Sequence, residues 1–245
     1  MLWLDLARLF LGTALLAFAS YTDWMWRRAP NVLWIILAGA GVALLAVEAA
    51  LDWGSFWEKR WYLAFIPVFW VFIIGFYYFG LIAGGADAKA LLALALLVPF
   101  PLHLAAGLPL VDSPLPGVFA VLENSLIAFM LIPVAFLVMN ALKGDFRFPA
   151  MLLGTRRPVA GIEDRHEWPM EHVHEGKVRM RYFASRSAGP IEEEAEALRA
   201  AGVERIWVTP KVPYMIPLLV GFVLAFLVGD VLFGVLRAVL PAPGA

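Results

Sequence analysis

Apolar residues fall along this chain in six long blocks, separated by short polar breaks and by one long polar segment. The blocks are roughly Leu2–Thr22, Val32–Leu51, Trp61–Ala83, Ala88–Val111, Gly117–Leu142 and Tyr214–Leu236. Each is about 20 residues or more, the length at which a helix crosses the hydrocarbon core of a bilayer. The pattern predicts an α-helical membrane protein with six transmembrane helices. The fourth block carries Pro99-Phe100-Pro101 and is expected to kink there, because proline removes a backbone donor. Pro67, Pro133 and Pro217 are expected to bend three others. The first block has Asp5 ahead of Arg8 and ends in Tyr21-Thr22-Asp23-Trp24 rather than in a small-residue cleavage site. It reads as a retained helix, not a signal peptide.

The polar segment between the fifth and sixth blocks has another rhythm. Val178–Phe183 alternates apolar and basic residues, which predicts a strand, and Glu175-Gly176-Lys177 before it reads as a hairpin turn. Pro190–Ala201 predicts a short helix opened by proline and closed before Gly202, and Arg205–Val208 a further strand. The expected organisation is therefore a membrane domain at 1–142, a small α+β insert at 143–212, and a sixth helix with a short tail at 213–245. Alternating topology puts fifteen of the nineteen Lys and Arg on the side of the insert. The positive-inside rule makes that side cytoplasmic and places both termini outside.

Composition sharpens this. The chain is 62% hydrophobic and 16% charged, against about 25% charged in soluble domains. A net charge of -1 gives no electrostatic basis for nucleic-acid binding. The absence of cysteine excludes disulfides, thiolate zinc sites and cysteine nucleophiles. His166, His172 and His174 lie among glutamates, but Met170 interrupts any His-Glu-x-x-His pattern, so a polar hairpin surface is expected and no metal. No phosphate-binding loop is present, and no cofactor is expected.

Acids at membrane depth are costly and mark functional candidates. By the predicted topology Asp23, Asp87 and Asp145 fall on the inner side, and Glu48, Asp112, Glu123 and Asp230 toward the outer side. Taken singly, Asp23 and Asp87 read as helix-end acids. Asp145, in Lys143-Gly144-Asp145, reads as a surface loop residue. Two carboxylates at one depth make a specific device: they do not both ionise cheaply, so the pair holds one proton. The charged member takes a proton from water while the protonated member donates to the carbonyl under attack, which is peptide hydrolysis without metal or covalent intermediate. Gly84, Gly85 and Ala86 remove bulk beside Asp87.

The segment Thr22-Asp23-…-Arg27-Arg28-Ala29-Pro30-Asn31 resembles the first-aspartate segment of type IV prepilin peptidases. Gly84-Gly85-Ala86-Asp87-Ala88-Lys89 resembles their Gly-x-Gly-Asp segment with its following lysine. Leu153-Gly154-Thr155-Arg156-Arg157-Pro158-Val159 and Trp207-Val208-Thr209-Pro210-Lys211-Val212-Pro213-Tyr214 resemble the archaeal branch, the preflagellin (prearchaellin) peptidases. The resemblance covers most of the chain in order. It implies a GxGD-type intramembrane aspartyl protease of the cell membrane with its active site facing the cytoplasm. The implied substrates are membrane-inserted pilin or archaellin precursors, cut between a short basic leader and the hydrophobic helix that follows. The implied catalytic pair is Asp23 and Asp87, with Gly84, Gly85, Ala86 and Lys89 as scaffold. Ala86 departs from the motif, standing where the family has its second glycine; alanine serves if the site needs lack of bulk rather than positive φ.

Two other functions fit intramembrane acids. A proton- or cation-coupled transporter uses them with broken helices, but no repeated half is visible and the acids do not line a path across the midplane. A non-catalytic assembly component would use the insert to hold a partner.

Overall fold

The computed structural model describes residues 2–82, 84–104, 107–163, 167–182 and 190–240. In chain order the elements are α1 (Leu2–Trp26), α2 (Asn31–Leu51), α3 (Trp53–Leu63), α4 (Phe65–Tyr78), α5 (Gly85–Leu97), α6 (Gly117–Lys143) and α7 (Ala150–Leu153). There follow β1 (Thr155–Pro158), β2 (Glu167–Pro169), β3 (Glu171–His174), β4 (Lys177–Met180), α8 (Ile191–Ala200), β5 (Arg205–Pro210), α9 (Met215–Leu227) and α10 (Val231–Val239). The chain divides into two compact units, Met1–Phe129 with Pro213–Ala245, and Met130–Val212.

The first unit is helical. Among the described residues of the whole chain four helices are long and apolar enough to cross a membrane: Leu2–Trp26, Asn31–Leu51, Trp53–Tyr78 and Gly117–Lys143, the last of which passes from the first unit into the second after Phe129. Their inner faces meet in one core that includes Leu16, Ala19, Leu37, Phe69, Leu91, Leu94, Phe222 and Phe226. Their outer faces are also apolar, with Phe10, Ile35 and Val71 all more than 70% exposed. A helix apolar all round suits lipid as its solvent.

Three spans differ from the sequence expectation. The third begins earlier, at Trp53, and turns at Ala64, whose backbone stays right-handed helical; Pro67 has no amide to donate to the carbonyl four residues back, so the ladder breaks there. The fourth does not run to Val111. Its helix stops at Leu97, and the described residues between Pro99 and Pro116 are irregular or extended. Pro99 and Pro101 cannot continue the helical ladder, so they end the helix rather than kink it. At 13 residues, α5 is too short to cross a bilayer alone. The last span is broken into α9 and α10 at Gly229, where φ is +91. A side chain there would strike the Val111 carbonyl oxygen, so only glycine lets the two backbones meet. The Val111 amide donates to Val228 O at 2.8 Å.

Buried polar groups secure this break. The Asp230 carboxylate caps α10 by accepting the Phe233 amide at 2.8 Å and takes the Ser113 hydroxyl at 3.0 Å. The Asn124 side-chain amide donates to Gly229 O at 2.7 Å, and its oxygen accepts the Val231 amide at 3.2 Å. Near the start of α1, buried Arg8 donates to Glu48 at 2.6 Å and to Asp5 at 3.0 Å. This network lies at the end of α1 far from Asp23, about 22 Å or more along the helix at 1.5 Å per residue.

The second unit is α+β. Strand β5 is central to a three-stranded antiparallel sheet in the order β1-β5-β2, with Thr155 opposite Val208 and Trp168 opposite Thr209. Sequence patterning missed β1 and β2, whose three or four residues are too few to show a period. Strands β3 and β4 form the expected hairpin. Its two turn residues, Glu175 and Gly176, have φ of 51 and 72, the sign that matches strand twist in a two-residue turn. Helix α8 begins after Pro190 as its sequence predicts, and Ala195 and Leu198 pack on Ile206 and Val208.

Candidate functional site

Asp23 sits in the last turns of α1 and Asp87 in the first turn of α5. The two helices pack together, and both carboxylates are half-buried. Helix ends suit such a pair, because a side chain there reaches beyond the packed core toward an aqueous edge while its backbone is held.

Three contacts hold the end of α1. The Ser20 hydroxyl donates to Met215 O at 2.9 Å, tying α1 to the start of α9. Buried Thr22 returns its hydroxyl to Ala19 O at 3.0 Å. Gly12 has no side chain where the Phe222 ring lies, so α1 and α9 approach closely. At the start of α9, Tyr214 and Ser125 share a hydroxyl contact at 2.6 Å. Ser125 already donates its one proton to Leu122 O at 2.7 Å, so Tyr214 is the donor in that pair.

The approach to Asp87 depends on Gly84. A Cβ built on Gly84 would stand 2.8 Å from Asp87 Cγ, 3.3 Å from Oδ1 and closer still to Oδ2. The carboxylate therefore occupies space that a side chain at 84 would take. Gly84 itself is extended, with φ -94 and ψ 120, a conformation open to any residue. Gly85 has more room, its nearest neighbour being the Tyr77 hydroxyl at 3.6 Å. Ala86 lies inside α5 and packs against the core. Helical φ suits alanine, so this position needs smallness and not a left-handed backbone.

Lys89 is exposed and donates to Asn31 Oδ1 at 2.9 Å. It pins the start of α5 to the start of α2 and leaves the carboxylates alone. Pro30 stands at the cap of α2 with no side-chain bond, and the Asn31 amide oxygen serves Lys89. Arg27, just past the end of α1, has φ 53. Its guanidinium stacks over Trp24 at 5.9 Å.

The other acids are engaged elsewhere. In the second unit Asp145 is shared by Arg156 at 3.9 Å and Arg205 at 3.8 Å. His172 and His174 lie on β3; His166 falls outside the described residues. An apolar groove of about 730 Å³ runs between α2, α4 and α5, lined by Trp34, Ala38, Gly39, Trp70 and Leu96. Leu96 lies on the face of α5 opposite Asp87, given about 3.6 residues per turn, so this groove is not the acid site.

Sequence reasoning picked out both acids and the small residues before Asp87. It passed over Ser20, Ser125 and Tyr214, whose only signal is a hydroxyl beside an apolar block, and over the side chain of Arg27.

Comparison with known proteins adds an independent finding. Residues 10–142 match the type IV leader peptidase family, and residues 147–231 match the archaeal peptidase A24 C-terminus, type II. A preflagellin peptidase of Methanocaldococcus jannaschii is 23% identical over 237 residues, covering 93% of this chain and 96% of its own. A preflagellin peptidase of Methanococcus maripaludis is 25% identical over 233 residues, covering 90% of this chain and 94% of its own.

Proposed function

Because the chain belongs to the type IV leader peptidase family and is a protease, we propose that it is an intramembrane aspartyl endopeptidase that removes the leader from pilin-like or archaellin precursors. The observation that supports this reading is the placement of Asp23 in the last turns of α1 and Asp87 in the first turn of α5, two helices that pack together. The likeness to two preflagellin peptidases over nearly the whole chain supports the substrate class.

The chemistry follows from the pair. One carboxylate takes a proton from a water molecule, whose oxygen adds to the scissile carbonyl. The other, protonated, donates to the carbonyl oxygen. Collapse of the tetrahedral intermediate passes a proton to the leaving amine, breaks the C–N bond and restores the singly protonated pair. Gly84 gives Asp87 its place, and Gly85 and Ala86 keep the approach narrow. Lys89 holds α5 against α2.

In this reading the chain crosses the cell membrane six times. The broken α9–α10 segment makes one crossing, and α5 with the extended chain after it makes another. The divisions 1–142, 143–212 and 213–245 then serve as membrane domain, insert and closing helix. The carboxylates face the cytoplasm, where the excess of basic residues lies, and the precursor presents its leader junction there from within the bilayer.

The test is incubation of the purified protein with a tagged precursor, followed by mass determination of the product. Asp23→Asn and Asp87→Asn should each abolish the cut while the protein stays folded. Asp145→Asn, at an acid whose only neighbours of opposite charge among the described residues are two arginines of the second unit, should cut nearly as wild type. Normal cleavage by either of the first two variants would sink the assignment.

A further inference from the structure

The apolar groove between α2, α4 and α5 has no part in the proposed chemistry, and its construction points to an occupant. Helices α2 and α5 run in the same direction: their starts meet where Lys89 bonds Asn31, and further along Gly41 lies against the Leu96 backbone. A Cβ on Gly41 would stand 2.7 Å from the Leu96 carbonyl carbon and oxygen, so glycine lets the two backbones touch there. Small residues on both helices, Ala38, Gly39 and Ala93, leave the space open, and Trp34 and Trp70 border it. The Trp70 indole N–H donates to Leu92 O at 3.0 Å, which fixes that border. On α2 the lining runs from Asn31 to Val42, about 16 Å at 1.5 Å per residue. That is about half of a ~30 Å hydrocarbon core, the depth of one leaflet.

The end of the groove at the helix starts is cationic. Lys89 is exposed and spends one of its three ammonium donors on Asn31. Among the described residues, the ion pairs of the first unit join Arg8 and Lys59 to Asp5 and Glu48, so no carboxylate contacts Lys89. Asp87 lies two residues away on α5, about 200° around the helix, and so faces the other side. The positive ends of both helix dipoles fall at this end, and neither cap residue, Pro30 or Gly84, gives a side-chain bond to the first amides. Arg27 and Arg28 stand just ahead of α2.

We propose that this groove holds one anionic phospholipid from the leaflet at the helix starts, its phosphate at Lys89 and an acyl chain laid along Ala38, Gly39 and Ala93. The inference goes beyond the peptidase reading and does not depend on which precursor is cut. A single cation at the membrane edge suits an anionic headgroup, and an apolar channel one leaflet deep suits the chain beneath it. A precursor helix or a second copy of this chain would pack across the whole core, about twice the length of the groove. The bound lipid backs α5 on the face away from Asp87.

The test is native mass spectrometry of the purified full chain in detergent, titrated with phosphatidylglycerol or with phosphatidylcholine of the same acyl chains. The melting temperature of each lipid-free variant is read beside it. Wild type should hold one phosphatidylglycerol about tenfold or more tightly than phosphatidylcholine, whose choline offsets the phosphate charge. Glycerol phosphate, the anion without the chains, should not displace it. A Cβ on Gly39 meets nothing within 4 Å, so Gly39→Leu fits the helix and fills the groove. It should keep or raise the lipid-free melting temperature, leucine being the better helix former, and weaken phosphatidylglycerol about tenfold or more. Gly75 has the same freedom but does not line the groove, so Gly75→Leu should bind as wild type. Lys89→Gln should bring the two lipids to similar affinities, and Lys89→Arg should keep the preference. Equal binding of both lipids by wild type overturns the proposal, as does unchanged binding in Gly39→Leu. Displacement by glycerol phosphate, or a dimer that Gly39→Leu dissolves, overturns it in favour of a free anion or a second copy. Should Gly39→Leu melt lower than wild type, the Lys89 pair decides: a phosphatidylglycerol preference that survives Lys89→Gln overturns the proposal.

Discussion

Gly84→Ala isolates what the glycine before the second acid does. Because Gly84 is extended at φ -94 and ψ 120, alanine can adopt its backbone unstrained. The whole effect must come from the added methyl group. That group would stand 2.8 Å from Asp87 Cγ, where ordinary contact begins at 3.4 Å. Cγ has no room to stay, and Oδ2 lies nearer still. Asp87 is half-buried in the first turn of α5, so its carboxylate must rotate away, moving its oxygens on the order of 1 Å, a misplacement that costs a reacting group about 100-fold in rate. The cost to folding is small, since the displaced group is the end of a side chain at a helix terminus. The assay is kcat for cleavage of a tagged precursor, read beside the melting temperature. Gly85→Ala is the control. Its nearest neighbour would be 3.6 Å away, so it should lose at most a few-fold. Full activity in Gly84→Ala would refute the reasoning. An equal loss in both variants would show that the segment tolerates no bulk anywhere, for a reason other than the place of the Asp87 carboxylate.

Three further perturbations test the frame. Arg8→Met removes the 2.6 Å partner of buried Glu48 and leaves Lys59 at 3.5 Å as its nearest cation; breaking such a buried pair should cost about 3–5 kcal/mol, seen as a large fall in melting temperature in detergent. Gly229→Ala forces a side chain into a φ of +91 and to within 3.0 Å of the Val111 carbonyl carbon, and should destabilise by at least about 2 kcal/mol with the dyad chemistry intact in what remains folded. In the second unit, burial pushes the Glu171 carboxyl up despite the nearby Arg147 and Arg156. An acid raised in the folded state favours folding when protonated and loses that contribution as pH rises through its folded pKa. Between mildly acidic and neutral pH, Glu171→Gln should therefore lose less melting temperature than wild type; an equal or greater loss would contradict the sign.

The helices were legible where apolar length alone decides. α1, α2 and α6 fall close to their predicted bounds because each is a long apolar run between polar breaks. Length misleads where the backbone is interrupted from within. The run from Ala88 to Val111 is apolar but for Lys89 and His103, yet α5 ends at Leu97 ahead of Pro99 and Pro101, and Val111 at the far end of the run meets Gly229 instead of continuing a ladder. Nothing local to either segment marks that contact. Val111 and Gly229 are more than a hundred residues apart, and hydropathy treats the glycine as one more small residue in a span. The insert shows the reverse case: the hairpin was readable from its turn, since Glu175-Gly176 supplies the left-handed pair directly, while β1 and β2 exist only as partners of β5.

The site divides in the same way. The expectation that Asp23 and Asp87 share a depth comes from counting spans, and the three runs it rests on, Leu2–Trp26, Asn31–Leu51 and Trp53–Tyr78, are each long and apolar enough to cross a membrane. The hydroxyls of Ser20 and Tyr214 escaped notice because their partners, Met215 O and Ser125, lie about 90 residues or more away along the chain, which no one-dimensional pattern records. The alanine at 86 is the instructive residue. A motif comparison makes it a defect in a glycine pair. The backbone makes it ordinary, since position 86 is already helical and partly buried against the core. The requirement that the motif expresses as two glycines separates here into two demands, room for the Asp87 carboxylate and a small, helix-compatible side chain. Gly84 meets the first because a methyl group would occupy the carboxylate's own space. Ala86 meets the second better than glycine would, by holding the first turn of α5 that fixes where Asp87 points.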